Sequence, residues 1–349
     1  MSKPKLYIMV GISASGKTTI GKQIAEKEKC IVVSSDEIRG EICGDVTDQS
    51  KNVDVFKIFH ERIKKYLLKG NNVIAEATNI NIKSRRAIFE NVKNVDCEKI
   101  AYIIPKTIEQ CIEDNIDKEY PVPHHVIKKQ MMNFQIPFYE EGFDQIIIHK
   151  FNQRTNRYFI VNTAYKMKDF DQKNPHHNQT LLDHCMHTWT LFNKKYPNIY
   201  GADLHDVGKL FTQKQDENGI CHYFQHENVG AYYLLSHFYD IEFSNLNKEK
   251  LLEALFLINY HMLPMNWNTA KAKDKWRKIF GEDKFQMLIY FNECDRARAE
   301  VSPVEEYEEM VKRVLDTCES KDEIEIKTKE MLRILVLNKI SNIEVIKSK

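Results

Sequence analysis

Apolar and polar positions follow two regimes along this chain. Up to about residue 150, runs of strand length at Lys5–Val10, 30–33, 73–76, 99–104 and 144–149 alternate with stretches of helical period at 19–28, 52–69, 82–91 and 107–115. In 52–69 the residues Val53, Phe56, Phe59, Ile63, Tyr66 and Leu67 are expected to share the buried face. Strands interleaved with helices predict a parallel sheet covered on both sides. From about Asn178 helical periodicity takes over, through 180–195, 202–211, 228–239, 248–261, 273–280, 285–299, 303–318 and 322–340. The expected architecture is an α/β domain over 1–150, a linker over 151–175 with one short strand at 158–162, and an all-α domain over 176–349.

Composition narrows the class. A chain of 349 residues has room for two cores, since single cores rarely grow past roughly 250 to 300 residues. Hydrophobic content of 42% and charged content of 29% are those of an ordinary globular protein. No apolar run reaches the length of a membrane span, and the N-terminus enters a strand with no signal-peptide core, so a cytoplasmic location is expected. Eight cysteines lie scattered without a C-x-x-C pair, the pattern of reduced thiols. A formal net charge of +1 argues against a long duplex-binding groove and leaves room for a small basic pocket at one strand end.

The stretch Gly11-Ile12-Ser13-Ala14-Ser15-Gly16-Lys17-Thr18 fits G-x-x-x-x-G-K-[ST], with a strand before it and a helix after it. Backbone N–H groups of such a loop point inward, the helix dipole adds to them, and Lys17 supplies a point charge for β- and γ-phosphates. Gly11, Ser13, Ser15, Gly16, Lys17, Thr18 and Thr19 are the expected nucleotide contacts, with Thr18 on Mg²⁺. The chain is therefore expected to bind ATP or another nucleoside triphosphate.

Asp36 and Arg39 follow the second strand, at the carboxyl end where ligands gather in an open α/β sheet, so Asp36 is expected to face the γ-phosphate. A carboxylate there can take the proton of an attacking hydroxyl, and an arginine one turn on can clamp an acceptor phosphate. The alternative is a helix cap and a solvated face. Glu76, in Glu76-Ala77-Thr78-Asn79 at the end of the next strand, can order Mg²⁺ or the acceptor. Together with Tyr120–His125 and the run from Phe138 to Asp144, these motifs resemble the polynucleotide 5′-hydroxyl kinase branch of P-loop phosphotransferases. The resemblance covers the first half of the chain. It implies that Asp36 is the general base for a nucleic-acid 5′-OH and that Arg39 contacts the acceptor phosphate. That family carries two lid arginines four residues apart; here Asp114 and Lys118 stand in those places, and Lys118 supplies charge without a planar fork. His124 and His125 beside the lid are read as surface residues.

A second constellation occupies the helical half. His205-Asp206 can bind a divalent ion from one turn of chain, and His184, His226, His261 and Asp295 lie on other helical segments, the arrangement a bundle uses for a central metal. His187 competes with His184 for its place. Asn174-Pro175-His176-His177 reads either as a plain loop before the next helix or as a contact to substrate phosphate. The ordered series H, HD, H, H, D resembles the HD phosphohydrolase superfamily. That resemblance implies a first metal on His184, His205, Asp206 and Asp295, a second added by His226 and His261, and Lys209 assisting at a phosphate oxygen. Mn²⁺, Ni²⁺, Co²⁺, Fe, Zn²⁺ and Mg²⁺ all suit a mixed N/O site, with imidazole favouring a transition metal.

The two resemblances together imply an RNA end-healing enzyme that phosphorylates 5′-OH ends and removes 2′,3′-cyclic phosphate or 2′-phosphate ends, with RNA or DNA strand ends as substrate and an RNA ligase acting downstream. It is similar to HD-domain polynucleotide kinases, in which the HD module usually comes first. A nucleotide-metabolism enzyme with small-molecule kinase and phosphohydrolase activities, and a non-catalytic NTP-responsive switch, are the rival readings.

Overall fold

The computed structural model describes residues 3–151, 159–173, 179–238 and 248–297. The chain divides into two compact units, Met1–Asn152 and Gln153–Lys349. The first is built from β1 (Lys5–Val10), α1 (Lys17–Glu28), β2 (Cys30–Ser34), α2 (Ser35–Cys43), α3 (Asn52–Leu68), β3 (Asn72–Glu76), α4 (Ile82–Val92), β4 (Glu98–Ile103), α5 (Ile108–Ile116), α6 (His124–Met132) and β5 (Gln145–Ile148).

Among the described residues the five strands form one sheet in the order β2-β3-β1-β4-β5. Every neighbouring pair in it is parallel. Helices on both faces exclude water from the middle strands, so β1 is buried from Leu6 through Val10 and reads as a continuous apolar run rather than an alternating one. The chain steps from β1 to one side of the sheet first, and later to the other through β4. The crevice for a ligand therefore opens at the carboxyl end of β1.

Local chemistry sets the helix starts. Asn81 caps α4 by accepting from the Ser84 N–H at 2.9 Å, and Thr107 caps α5 through Gln110 N–H at 3.3 Å. In α3 the buried stripe is Val55, Phe59, Ile63 and Leu67, spaced by four. Val53 is 84% exposed, contrary to the expected face. Two residues before Val55, it lies about 200° around the helix. Helix α6 was not expected as an element, and α2 only in the alternative reading in which Asp36 caps a helix.

The second unit contains α7 (Phe159–Lys168), α8 (Leu181–Phe192), α9 (Lys209–Thr212), a hairpin of β6 (Lys214–Gln215) and β7 (Cys221–His222), α10 (His226–Phe238), α11 (Lys248–Tyr260) and α12 (Ala270–Asp295). Its core is aromatic, with Phe192, Tyr232, Phe256, Tyr260, Phe280, Phe285 and Phe291 essentially inaccessible.

Two expectations are corrected here. Of the strand expected at 158–162, the described residues 159–162 are instead the start of α7, whose buried Ala164 and Met167 are three residues apart, as a helix face requires. The helix over 202–211 is broken into a 3-10 turn, Ala202–Leu204, and the single turn α9. The helices expected at 273–280 and 285–299 are present, over their described residues, as the two arms of α12, which breaks at Gly281 with φ 76° and ψ 166°, a conformation glycine alone adopts without strain. The hairpin was not foreseen. The helices expected at 303–318 and 322–340, and the motif Asn174–His177, lie outside the described residues. No described helix is long and apolar enough to cross a membrane.

Candidate functional site

The loop between β1 and α1 is shaped by alternating handedness. Ala14 has φ 64° and Gly16 has φ 97°, the alternation that folds the chain into a tight anion-type loop, within which the Ser13 N–H is taken by Gln130 Oε1 and the Ser15 N–H by the Ile12 carbonyl. Gly11 must lack a side chain, since a Cβ there would lie 2.6 Å from Ser15 Oγ and 3.2 Å from the Ile104 carbonyl oxygen. The first N–H groups of α1 have no intrahelical acceptor, and Gly16 offers no side-chain cap. Ser15 Oγ is buried without a partner. Lys17 Nζ donates to the Ile12 carbonyl at 2.7 Å. Burial pushes its pKa down to about 8, against the pull of Glu76, while Lys118 adds repulsion. Thr18 Oγ1 donates to Glu76 Oε1, and burial raises the Glu76 carboxyl above its ordinary range. Thr18 and Glu76 thus converge at the lip of the loop and present oxygen ligands suited to Mg²⁺.

Ser34, not Asp36, caps α2. The Asp36 side chain is 76% exposed, whereas Arg39 is buried with its Nη1 2.5 Å from Asp36 Oδ1. Arg39 also donates to Asn52 Oδ1 at 3.2 Å and the Val46 carbonyl at 3.4 Å, and its buried Nε has no partner. It is therefore a built-in cation beside an open carboxylate rather than a solvated helix face. Asp114 pairs with Lys106. Lys118 follows α5 in a loop closed at its base by Asn115, whose amide donates to the Val122 carbonyl at 2.8 Å and accepts from the Val122 N–H at 2.9 Å. His124 and His125 are exposed at the start of α6.

The helical unit brings six ligand-type residues together. His184 Nε2 lies 3.0 Å from Asp295 Oδ1 and 3.4 Å from Asp206 Oδ2, and His205 Nε2 has the same two distances. Asp206 Oδ1 lies 2.9 Å from His226 Nε2 and 3.6 Å from His261 Nε2. Asp206 is thus shared by two groups spaced to hold a cation, one with His184 and His205, the other with His226 and His261. His184, rather than His187, takes the first place.

The imidazoles are oriented from behind. Nδ1 of His205, His226 and His261 lies 2.7, 2.8 and 2.7 Å from the carbonyls of Ala202, Tyr223 and Ile258. Each carbonyl fixes the proton on Nδ1 and turns the Nε2 lone pair inward, the usual support for a metal-binding histidine. His205 Nε2 and Asp295 Oδ1 are buried and have no hydrogen-bond partner. Orphaned polar atoms in a mixed N/O set fit a divalent transition metal. Burial alone would raise the Asp206 carboxyl, but the Lys209 ammonium beside it holds it well below the usual range. Lys209 Nζ sits 2.7 Å from Asp206 Oδ2 and 3.0 Å from Gln172 Oε1, over the Tyr223 ring.

The break in the expected helix over 202–211 has its cause here. A Cβ on Gly208 would lie 1.9 Å from the His226 carbonyl oxygen and 2.7 Å from the Gly230 nitrogen. The backbone after His205-Asp206 therefore packs directly onto the start of α10, which brings His226 to Asp206. Gly208, Gln172, Asn52 and Gln130 escaped the sequence reading. Only Gly208 carried a local signal, a glycine beside an apolar run.

Residues 6–137 match a family described as an AAA domain, a match that ends ahead of the second unit. No curated protein matches the chain. Among solved structures it is similar to a chain of the Pnkp1/Rnl/Hen1 RNA repair complex, at 20% identity and TM-score 0.34 over 37% of this chain and 43% of that one. It is also similar to a fungal RNA kinase, at 16% identity and TM-score 0.34 over 45% of this chain and 40% of that one. A gluconokinase from Sinorhizobium meliloti 1021 matches at 16% identity and TM-score 0.32, over 44% of this chain and 86% of that one. The chain spans less than half the length of the first two. The first unit is a nucleotide-binding P-loop domain of the kinase fold, followed by a helical unit.

Proposed function

We propose that this chain heals broken RNA ends at two sites. The first transfers the γ-phosphoryl group of a nucleoside triphosphate to a polynucleotide 5′-OH. The second is a metal-dependent phosphohydrolase that clears 2′,3′-cyclic phosphate or 2′-phosphate. The observation that carries this reading is the presence in one chain of a P-loop whose Lys17 feels the charge of Asp36, itself paired with Arg39, and of a largely buried cluster of six ligand-type residues.

At the first site the α1 N–H groups and Lys17 hold the β- and γ-phosphates, and Thr18 with Glu76 would hold Mg²⁺. Asp36, open to solvent yet 2.5 Å from Arg39, accepts the proton of the incoming hydroxyl. The Arg39 guanidinium, held in place by Asn52 and the Val46 carbonyl, would supply positive charge for the phosphate next to that hydroxyl. Lys118 is the cation nearest in role to the family's lid arginines, and it neutralises charge without bidentate geometry.

At the second site His184, His205, Asp206 and Asp295 would hold one divalent ion, and Asp206, His226 and His261 a second. Such an ion supplies Lewis acidity and lowers the pKa of bound water. The backbone carbonyls behind the histidines keep the cluster in register, and Lys209 keeps Asp206 ionised. A strand with a 5′-phosphate and a cleared 3′ end is the substrate of an RNA ligase, which is the partner implied.

The near-neutral net charge favours a second reading, in which both sites act on free nucleotides. Offering a nucleoside and a short 5′-OH oligonucleotide as competing acceptors separates them. Transfer to the oligonucleotide that falls at least tenfold in Arg39→Ala supports end healing; equal use of the nucleoside, indifferent to Arg39, supports the small-molecule reading.

A further inference from the structure

One contact to the P-loop comes from far along the chain. Gln130, on α6, accepts from the Ser13 backbone N–H through Oε1 at 2.7 Å and donates from Nε2 to Ser13 Oγ at 3.0 Å. Both ends of the amide are spent on one residue of the loop. The next residue, Ala14, is held at φ 64°, a left-handed conformation that costs any residue with a Cβ and that glycine alone adopts freely. The opposite side of the loop is fixed by α1. The Ser13–Ala14 side precedes α1 and is held from α6 by Gln130.

We propose that Gln130 is a positioning residue for nucleotide binding, bracing Ser13 so that the strained Ala14 turn stays in its phosphate-ready shape before nucleotide arrives. Its place in the chain adds a second consequence. Helix α6 begins two residues after Val122, the residue tied to Asn115 at the base of the loop that carries Lys118. The brace therefore links the phosphate cradle to the lid segment through one short helix. This inference rests on the nucleotide-binding reading of the first site.

The test uses the full chain and ATP with Mg²⁺ in a calorimetric titration, alongside amide hydrogen exchange of the 11–16 segment without nucleotide. Gln130→Met keeps length and helix propensity while removing both hydrogen bonds. It is expected to weaken ATP binding about tenfold and to speed exchange at Ser13, because two bonds worth roughly a factor of ten together are lost. If the brace exists to hold Ala14, then Ala14→Gly, which removes the cost of the left-handed turn, makes the same Gln130→Met change cost less than threefold. A purely structural role for α6 does not give that rescue. Unchanged ATP affinity in Gln130→Met, or an equal loss in the Ala14→Gly background, overturns the role. Wild-type protein that binds no ATP overturns the nucleotide reading itself, and the exchange data then show whether Ser13 is braced for some other purpose.

Discussion

His205 Nε2 and Asp295 Oδ1 lie 3.0 Å apart at the centre of the helical unit, both buried and neither in a hydrogen bond. A pair this close and unsatisfied is costly in an apolar core, by about 1–3 kcal/mol for each orphaned group. A divalent cation relieves both at once. Purified protein is therefore expected to carry about one to two equivalents of a transition metal. Asp295→Asn should lower that content by at least half, measured by elemental analysis after chelator-free purification. Metal readdition should raise the unfolding midpoint of the wild-type protein, since a ligand at 100 times its Kd adds about 2.7 kcal/mol.

Gly208 offers a test of the local packing. Because a Cβ would meet backbone rather than a flexible side chain, Gly208→Ala is expected to destabilise the second unit by about 3 kcal/mol. A lower urea midpoint with loss of bound metal is the expected readout. An unchanged midpoint shows that the segment after Asp206 does not lie against α10.

Lys17 gives the first site a distinctive pH response. Its pKa falls from 10.5 to about 8 on folding. Between those values the unfolded chain binds more protons than the folded one, so this group makes nucleotide-free protein more stable as pH rises through that window, and below about pH 8 its desolvation cost is fully present. ATP needs the charged form. Affinity for ATP is expected to fall above pH 8, and in Lys17→Met to be weak and flat over the same range. Calorimetric titrations at several pH values check both.

Asn52 is expected to matter through Arg39. It accepts from Nη2 at 3.2 Å and so keeps the guanidinium directed at Asp36. Asn52→Ala should raise KM for a 5′-OH oligonucleotide several-fold while leaving KM for ATP within twofold, in steady-state phosphoryl-transfer assays. A matching rise for ATP contradicts that division.

What the sequence revealed and what it hid follow from the range of the interactions. The β1, P-loop and α1 unit was legible because an apolar run, a glycine pattern and a helix start lie within about 25 consecutive residues. The six clustered histidines and aspartates were legible as a set because histidine and aspartate carry their chemistry wherever they fall. Gln130 was hidden, since a glutamine on a short helix gives no sign that its amide meets a loop 117 residues earlier. The irregular backbone around His205-Asp206 was hidden too, because Leu204, Val207 and Leu210 mimic a helical stripe. Close approach to α10 overrides that local preference. Val53 misled for a simpler reason, as one apolar residue among several on a helix whose true stripe is fixed by what packs against it.

Two independent sites are expected to act on the two ends of one broken strand. The most direct measurement offers wild-type protein, Asp36→Asn and Asp206→Asn a 5′-OH oligoribonucleotide with γ-labelled ATP and Mg²⁺, and in parallel an oligoribonucleotide ending in 2′,3′-cyclic phosphate with Mn²⁺. The expected result is label on the 5′ end and release of the terminal phosphate by the wild type. Asp36→Asn should lose the first activity alone, and Asp206→Asn the second alone, each by at least a hundredfold. Neither reaction in the wild type, or loss of both in either variant, contradicts it.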